Sequence, residues 1–176
     1  MRQGFIFDGS SIMLMQTITI VIETPKGSKE KFNYDPENKW FKLKKILPMG
    51  MLFPFDFGFI PNTKGGDGDP LDVVVISEIN SFTGCAMDCR IIGCITAEQT
   101  EEGKTFRNDR FIAIPQASQL FAAVNELENL PEKTLNDLKT FFITYNDLQG
   151  KKFKPLEKLN AAQALNLINE NAYEHN

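Results

Sequence analysis

The sequence has 176 residues, of which 42% are hydrophobic and 24% charged, and 23 acidic against 19 basic side chains give a formal net charge of -4. This composition indicates one soluble globular domain, and the acidic excess argues against broad binding to nucleic acid or anionic membranes. The only histidine, His175, is the second-last residue, so a histidine general base or a histidine-ligated zinc site is disfavoured. A metal site would therefore consist of carboxylate oxygens and would hold a hard cation.

The first 15 residues differ in character from the rest of the chain. Their apolar stretch is interrupted by Asp8, Gly9 and two serines, and no small-residue cleavage site follows, which argues against a signal peptide. No run of about 18 apolar residues occurs, as a transmembrane helix would need. We therefore predict an N-terminal extension over 1–15, a single domain over 16–176 and a cytoplasmic location. Met13 and Met15 are alternative start positions.

The first predicted elements are strands. Residues 16–23 alternate, with three isoleucines on one face, which favours a strand. A Pro-Lys-Gly-Ser turn follows at 25–28, and 30–34 and 39–44 are two further short strands. The segment 47–69 is rich in Pro, Gly and Phe without clear periodicity. Its aromatic content predicts an ordered, functional loop rather than a disordered one.

The second half of the chain changes from strands to helices. Strands are predicted over 72–77, 86–96 and 106–114. Apolar residues then recur at helical spacing over 131–150, and a second helix is predicted over 158–171. Strands followed by helices indicate an α+β fold with a small closed or half-closed barrel.

Three cysteines lie close together in the sequence, at Cys85, Cys89 and Cys94. In a regular strand the first two would face one way and the third the other, which suits neither a disulfide set nor a zinc site. Buried free thiols in a reducing cytoplasm are the expected state.

The densest chemistry lies in the segment GGDGDPLD, which ends at Asp72 and directly precedes the apolar run VVVI. Asp67, Asp69 and Asp72 are three carboxylates within six residues, and the glycines allow the backbone to bend. Carboxylates that converge repel one another unless a cation lies among them, which favours a metal site. A solvated turn and a DxD metal motif of the nucleotide-sugar transferase kind are the alternatives, whereas an EF-hand fits poorly.

The segments FGFIPNT and DGDPLDV resemble the soluble, magnesium-dependent inorganic pyrophosphatases, whose signature D-x-D-P-x-D is intact here. The segments IVIETP, EKFNYD, FIAIP and FFITYNDLQGKKF also resemble that family, over roughly 16–155. The resemblance implies a five-stranded closed barrel of the oligonucleotide-binding (OB) type with flanking C-terminal helices. It also implies hydrolysis of pyrophosphate to two phosphates with Mg²⁺, for which Mn²⁺ can substitute, and assembly as a homo-oligomer, a hexamer in bacterial members.

The resemblance also implies roles for particular side chains. The expected catalytic residues are Asp69, which would hold or deprotonate the attacking water, together with Lys31 and Glu23. The remaining assignments are metal binding by Asp67, Asp69, Asp72 and Asn108, and phosphate binding by Lys31, Lys45, Tyr145 and Lys152.

Several positions depart from the family pattern. Where this chain has Asn33, Asn108 and Gln99, the family usually has carboxylates, so weaker Mg²⁺ binding and lower turnover are expected. A catalytically impaired protein that binds phosphate-containing ligands, and an enzyme acting on another phosphoanhydride, are the rival hypotheses. The remaining departures replace Arg by Lys45, Tyr by Phe53 and Phe57, and Lys by Arg110 and Asn146.

Overall fold

The computed structural model describes residues 16–173, so the extension predicted over 1–15 and the histidine at 175 lie outside the described residues. Within that range the chain forms nine strands, two α-helices and a short 3-10 helix at Leu127–Asn129. The strands are β1 (Thr17–Thr24), β2 (Glu30–Asp35), β3 (Trp40–Ile46), β4 (Asp56–Phe59), β5 (Asp72–Val75), β6 (Ala86–Glu101), β7 (Lys104–Arg107), β8 (Arg110–Pro115) and β9 (Lys152–Leu159), and the helices are α1 (Glu132–Asp147) and α2 (Ala161–Asn171).

Five strands pair in a closed ring. The order is β1, β4, β5, β8 and β6, and β6 pairs again with β1. All neighbours are antiparallel except β5 and β8, which run parallel. Strands β7 and β9 extend β6 beyond the ring, and β2 and β3 form a separate hairpin. The predicted α+β class with a closed arrangement of strands and C-terminal helices is therefore confirmed.

Strands β5 and β8 are buried on both faces. Val74 and Ile112 belong to a cluster with the apolar side of α1, whereas Val73 and Phe111 belong to a second cluster with α2. Burial on both faces explains why β5 and β8 are continuous apolar runs rather than alternating ones.

The sequence-based elements differ from the structure in several places, and β6, which was predicted to end at 96, continues to Glu101. The loop predicted over 47–69 contains β4, and the strand predicted over 106–114 is two strands, β7 and β8. Strand β9 was missed because its lysines and Pro155 look like a surface segment, but pairing with β6 satisfies its backbone. The second helix begins at Ala161 rather than at 158, since Asn160 caps it by accepting a hydrogen bond from the Gln163 amide.

The cysteines do not face opposite ways as predicted, because β6 carries a bulge between Ile91 and Gly93. The bulge changes the alternation, so that Cys89 and Cys94 belong to the same apolar cluster. A side chain at Gly93 would lie 2.5 Å from both Leu127 Cγ and a main-chain oxygen, which explains the glycine. Burial raises the pKa of the Cys89 thiol to about 12, which fits the expected inert, free thiol.

No helix within residues 16–173 has the length and apolar character needed to cross a membrane.

Candidate active site

A cavity of about 1090 Å³ gathers side chains from both ends of the chain. Among them are two groups of opposite charge. The acidic cluster consists of Glu23, Asp67, Asp69 and Asp72, and the basic cluster of Lys31, Lys44, Lys45 and Lys151.

The acidic loop between β4 and β5 is held by its own backbone. The Gly65 amide donates to the Asp69 carbonyl at 2.7 Å, and the Asp69 amide donates to Asp67 Oδ1 at 3.1 Å. Gly66 packs so closely on Arg107 that a Cβ there would lie 2.8 Å from the Arg107 carbonyl oxygen. The loop is therefore fixed against the end of β7, and it delivers the aspartates to the cavity.

Asp72 contacts the Arg110 side chain because of the sheet topology. It opens β5, and Arg110 opens β8, which runs parallel beside it with Val73 opposite Phe111. Arg110 Nη1 lies 2.7 Å from Asp72 Oδ2, and the arginine is only 4% exposed. Its guanidinium also lies over the ring of Phe142, 4.8 Å from the centroid. The arginine is therefore buried against an aromatic ring, and the partly exposed Asp72 is paired with it.

Burial disfavours the charged form of two side chains of the acidic cluster. Burial raises the pKa of Glu23 to about 7, although Lys31 and a hydrogen bond from the Tyr34 amide at 2.7 Å act in the opposite direction. Burial and the charge of Asp72 likewise raise the pKa of Asp67. Crowded carboxylates with raised pKa values are a set of hard oxygen donors that a divalent cation would stabilise.

These donors do not surround a single point. Within residues 16–173, no three side chains of the His, Cys, Asp and Glu types come close enough together to hold a metal ion. The predicted aspartates therefore share the cavity but do not converge as the sequence suggested. Carboxylate oxygens are suitable ligands for a hard cation, but fewer than three of these carboxylates lie close to one another.

Burial likewise disfavours the charged form of a lysine in the basic cluster. Burial, followed by the charges of Lys31, Lys151 and Lys44, lowers the pKa of Lys45 to about 8. Lys45 lies over the Tyr145 ring, 4.7 Å from its centroid, and hydrogen-bonds to Gln149. Crowded ammonium groups of this kind are stabilised by an anion with several charges.

The uncharged aromatic side chains of Tyr145 and Phe57 lie beside the basic cluster. Burial raises the pKa of Tyr145 to about 12, so its hydroxyl stays protonated and can donate a hydrogen bond at neutral pH. Lys31 Nζ lies over the Phe57 ring, 4.4 Å from the centroid. Phe57 thus supports a lysine by its ring face, in a place where a tyrosine hydroxyl is absent.

The structure brings most of the predicted site residues into the cavity. Lys152, however, is exposed and does not line it, whereas Lys151, one position earlier, does. Successive side chains leave a strand in opposite directions, so a one-residue difference at the start of β9 decides which lysine faces the cavity. The predicted residues that line it are Glu23, Lys31, Lys45, Asp67, Asp69, Asp72, Asn108 and Tyr145.

Asn108 lies in the cavity but its amide is already engaged. Its Nδ2 donates to Gln99 Oε1 at 2.9 Å, and its Oδ1 accepts a hydrogen bond from Arg110. The oxygen that was expected to bind a metal therefore binds a guanidinium, and Asn108 is not a free ligand in this structure.

Sequence reasoning missed the contributions of Arg110 and Lys151. A signal for Arg110 was present, because Asp72 and Arg110 each stand directly before a short apolar run. If two such runs are neighbouring parallel strands, their preceding residues lie side by side. Nothing in the sequence distinguished Lys151 from the three other lysines of its segment.

Comparisons with known proteins agree with this architecture. Residues 20–176 match the family model described as inorganic pyrophosphatase. The chain is 38% identical over 155 residues to an inorganic pyrophosphatase of Halalkalibacterium halodurans, which covers 88% of this chain and 93% of that protein. It is also 37% identical over 131 residues to the inorganic pyrophosphatase of Geobacillus stearothermophilus, covering 74% and 77% of the two chains.

Solved structures give the same answer. The inorganic pyrophosphatase of Helicobacter pylori superposes with a TM-score of 0.82 at 28% identity, over 89% of this chain and 92% of that one. The inorganic pyrophosphatase of Thermus thermophilus gives a TM-score of 0.81 at 30% identity, over 89% and 90%. The fold and the family model together place the chain in one class of protein. It belongs to the inorganic pyrophosphatase family.

Proposed function

We propose that this protein hydrolyses inorganic pyrophosphate to two phosphates with a divalent cation, Mg²⁺ or in its place Mn²⁺. The observation that carries this proposal is the meeting of an acidic and a basic cluster in one cavity. Pyrophosphate has two phosphate groups that ammonium groups can bind, and cations bound by carboxylates can neutralise its remaining charge. The family membership and the intact D-x-D-P-x-D segment support the same reaction.

The acidic cluster has the catalytic role in this proposal. Asp67 and Asp72 hold the cation, with Glu23 beside them, and Asp69 orients the attacking water and accepts its proton. When bound, a divalent cation lowers the pKa of a coordinated water and stabilises the charge that develops during displacement. Among residues 16–173 no histidine lines the cavity, which suits this chemistry because a carboxylate serves as the base.

The basic cluster binds the substrate. Lys31 and Lys45 are held at the edge of the cavity by aromatic rings, and their charges repel each other in the absence of an anion. Tyr145 donates a hydrogen bond to a phosphate oxygen, and Lys151 takes the phosphate-binding role that was predicted for Lys152. Lys151 forms an ion pair with Glu101 at 2.7 Å, which keeps it near the cavity.

The proposal also includes the type of barrel, the bounds of the domain, the location in the cell and the oligomeric state. The closed ring of five strands supports a barrel of the OB type, and we propose a single domain over 16–176 that acts in the cytoplasm. We further propose a homo-oligomer, the hexamer of bacterial members. Exposed apolar side chains on the β2–β3 hairpin and the turn after it, such as Leu43, Ile46 and Met49, support burial in an assembly. Native mass spectrometry would measure the subunit number directly.

The binding-only alternative is not favoured, because all three signature aspartates lie in the cavity. Phosphate release from pyrophosphate, measured over a range of Mg²⁺ and Mn²⁺ concentrations, tests the proposal, with Asp72→Ala as the inactive control. We expect metal-dependent release from the unaltered protein alone. Tight binding of pyrophosphate without release at any metal concentration would overturn the proposal.

A further inference from the structure

We propose that Arg110 is a built-in cation of the active site, which binds a phosphate oxygen of the substrate in a place that a metal ion would otherwise take. Gln99 and Asn108 are the positioning residues that select the guanidinium over a metal. This inference rests on the proposed function, because it concerns how the same cavity binds pyrophosphate. It adds a substrate-binding residue and limits the number of divalent cations.

The first observation is how rigidly Arg110 is held. Its Nη1 approaches Asp72 Oδ2 at 2.7 Å and the main-chain oxygens of Asn108 and Asp109 at 3.1 and 2.9 Å. Three aromatic rings surround the guanidinium, with centroids 4.8, 5.1 and 5.8 Å away, and they belong to Phe142, Phe153 and Phe57. An arginine fixed in this way loses little further conformational entropy when it binds an anion.

The second observation is that the arginine is not fully satisfied. Within residues 16–173, its Nε is buried without a hydrogen-bond partner. Arg110 also lines the cavity together with Lys31 and Asp69. A guanidinium has five N–H donors in a planar fork that matches a phosphate, so the part of Arg110 that lines the cavity can bind an anion, and the buried Nε shows that the protein does not use every donor.

The third observation is which groups donate and which accept in the hydrogen bonds that link Gln99, Asn108 and Arg110. Gln99 is 7% exposed, and its Oε1 accepts from Asn108 Nδ2 at 2.9 Å. The Asn108 Oδ1 then accepts from Arg110. The side-chain oxygens of Gln99 and Asn108 are therefore both occupied by donors, and the Arg110 guanidinium is the cation that Asn108 contacts among residues 16–173.

A divalent ion at Asn108 would meet two obstacles. It would have to displace the Arg110 hydrogen bond from the single oxygen of that side chain, and this neutral oxygen, unlike the Asp72 carboxylate, has no charge to offset the nearby guanidinium. Neutral amides cannot compensate such crowding, whereas carboxylates can. The described residues therefore leave cation binding to the acidic cluster, and Arg110 supplies positive charge at the Asn108 side of the cavity.

The number of cations bound per chain tests whether Gln99 and Asn108 select the guanidinium over a metal ion. This measurement does not require hydrolysis. Mn²⁺ binding to the full chain is measured by calorimetry and by equilibrium dialysis, for the unaltered protein and for Asn108→Asp and Gln99→Glu. We expect each of the two variants to bind one more Mn²⁺ per chain, or to bind Mn²⁺ at least tenfold more tightly. The matched control, Asn166→Asp on the exposed side of α2, should leave binding unchanged. Equal stoichiometry and affinity in all four proteins would overturn the selection.

Anion affinity tests the substrate-binding role of Arg110. Binding of imidodiphosphate, a pyrophosphate analogue that resists hydrolysis, is measured without divalent cations. We expect Arg110→Gln to weaken it at least tenfold and Arg110→Lys to weaken it less, since lysine keeps the charge but loses the fork. If Arg110→Gln does not fold, as circular dichroism would reveal, Arg110→Lys decides the matter. Unchanged affinity in the folded variants would overturn the role.

These binding results are separable from the reaction itself. If the unaltered protein releases no phosphate but the variants change Mn²⁺ and imidodiphosphate binding as expected, the proposed hydrolysis fails and the role of Arg110 stands. If hydrolysis is observed while the variants bind both ligands like the unaltered protein, the role of Arg110 fails alone.

Discussion

The acidic and basic clusters share one cavity but are built in different ways. Three of the four acidic side chains come from one eight-residue segment, whose backbone hydrogen bonds shape the loop locally. The four lysines come from β2, from β3 and from the segment before β9, more than 100 residues apart in sequence. A local loop can carry a recognisable motif, whereas a cluster assembled from distant elements cannot.

In both clusters burial opposes the charged form, although their charges have opposite signs. Glu23 and Asp67 have raised pKa values, and Lys45 has a lowered one, so each cluster disfavours its own charged form. A metal-bound diphosphate would relieve both, because cations stabilise the carboxylates and the anion stabilises the lysines. The cavity is therefore arranged for a ligand that carries charges of both signs.

The largest expected effect is on the acidic cluster. Asp69→Asn removes the proposed base while keeping the size of the side chain, and we expect phosphate release to fall by about 10³-fold. Asp147→Asn, at the exposed end of α1, is the control and should keep full activity. Hydrolysis that persists in Asp69→Asn would show that this carboxylate is not the base.

The next effect concerns the pH dependence of stability. Glu23 keeps its proton in the folded chain up to a pKa of about 7, whereas the unfolded chain releases it near 4.5. The metal-free protein should therefore lose stability as pH rises between these values, by about 3 kcal/mol in total. Urea unfolding in the presence of a chelator, at pH 5 and pH 7.5, measures the difference.

Glu23→Gln removes that titration and keeps an oxygen that can accept the Tyr34 amide hydrogen bond. Its stability should change less between the two pH values than that of the unaltered protein. The exposed Glu37→Gln is the control and should retain the full pH dependence. Identical pH profiles in all three proteins would contradict the raised pKa.

A smaller effect is expected where the acidic loop meets β7. In Gly66→Ala, the new Cβ would lie 2.8 Å from the Arg107 main-chain oxygen, so the backbone must shift, at a cost of about 2 kcal/mol. We expect a lower melting temperature and lower phosphate release, since the aspartates move with the loop. Gly65→Ala should be milder, because its nearest neighbour, at 3.2 Å, is a movable Asp67 side-chain oxygen. An unchanged melting temperature in Gly66→Ala would show that the loop is not held there.

The smallest effect belongs to the basic cluster. Lys151→Ala should raise KM about fivefold with little change in kcat, because a half-exposed lysine contributes modestly to phosphate binding. Lys152→Ala should behave like the exposed control Lys158→Ala. A larger KM effect from Lys152 than from Lys151 would restore the assignment made from sequence and contradict the observed register of β9.

Local patterns predicted much of this protein. The alternation of β1, the apolar run of β5 and the helical spacing of α1 were sufficient to place those elements. Strand β4 escaped notice because it has only four residues within a segment rich in Pro and Phe, and β9 because only its pairing with β6 makes it a strand. Such short or polar strands gain stability from partners that periodicity does not reveal.

The sequence by itself determined the acidic loop, because Asp67, Asp69 and Asp72 lie within six residues and their glycines set the local bend. Only the tertiary structure decided that Arg110 meets Asp72, that the Asn108 oxygen binds a guanidinium, and that Lys151 rather than Lys152 lines the cavity. These contacts depend on which strands pair and in which register. The choice of a parallel neighbouring strand, or a shift of one residue along a strand, changes which side chains meet. Neither changes the local pattern of residues in the sequence.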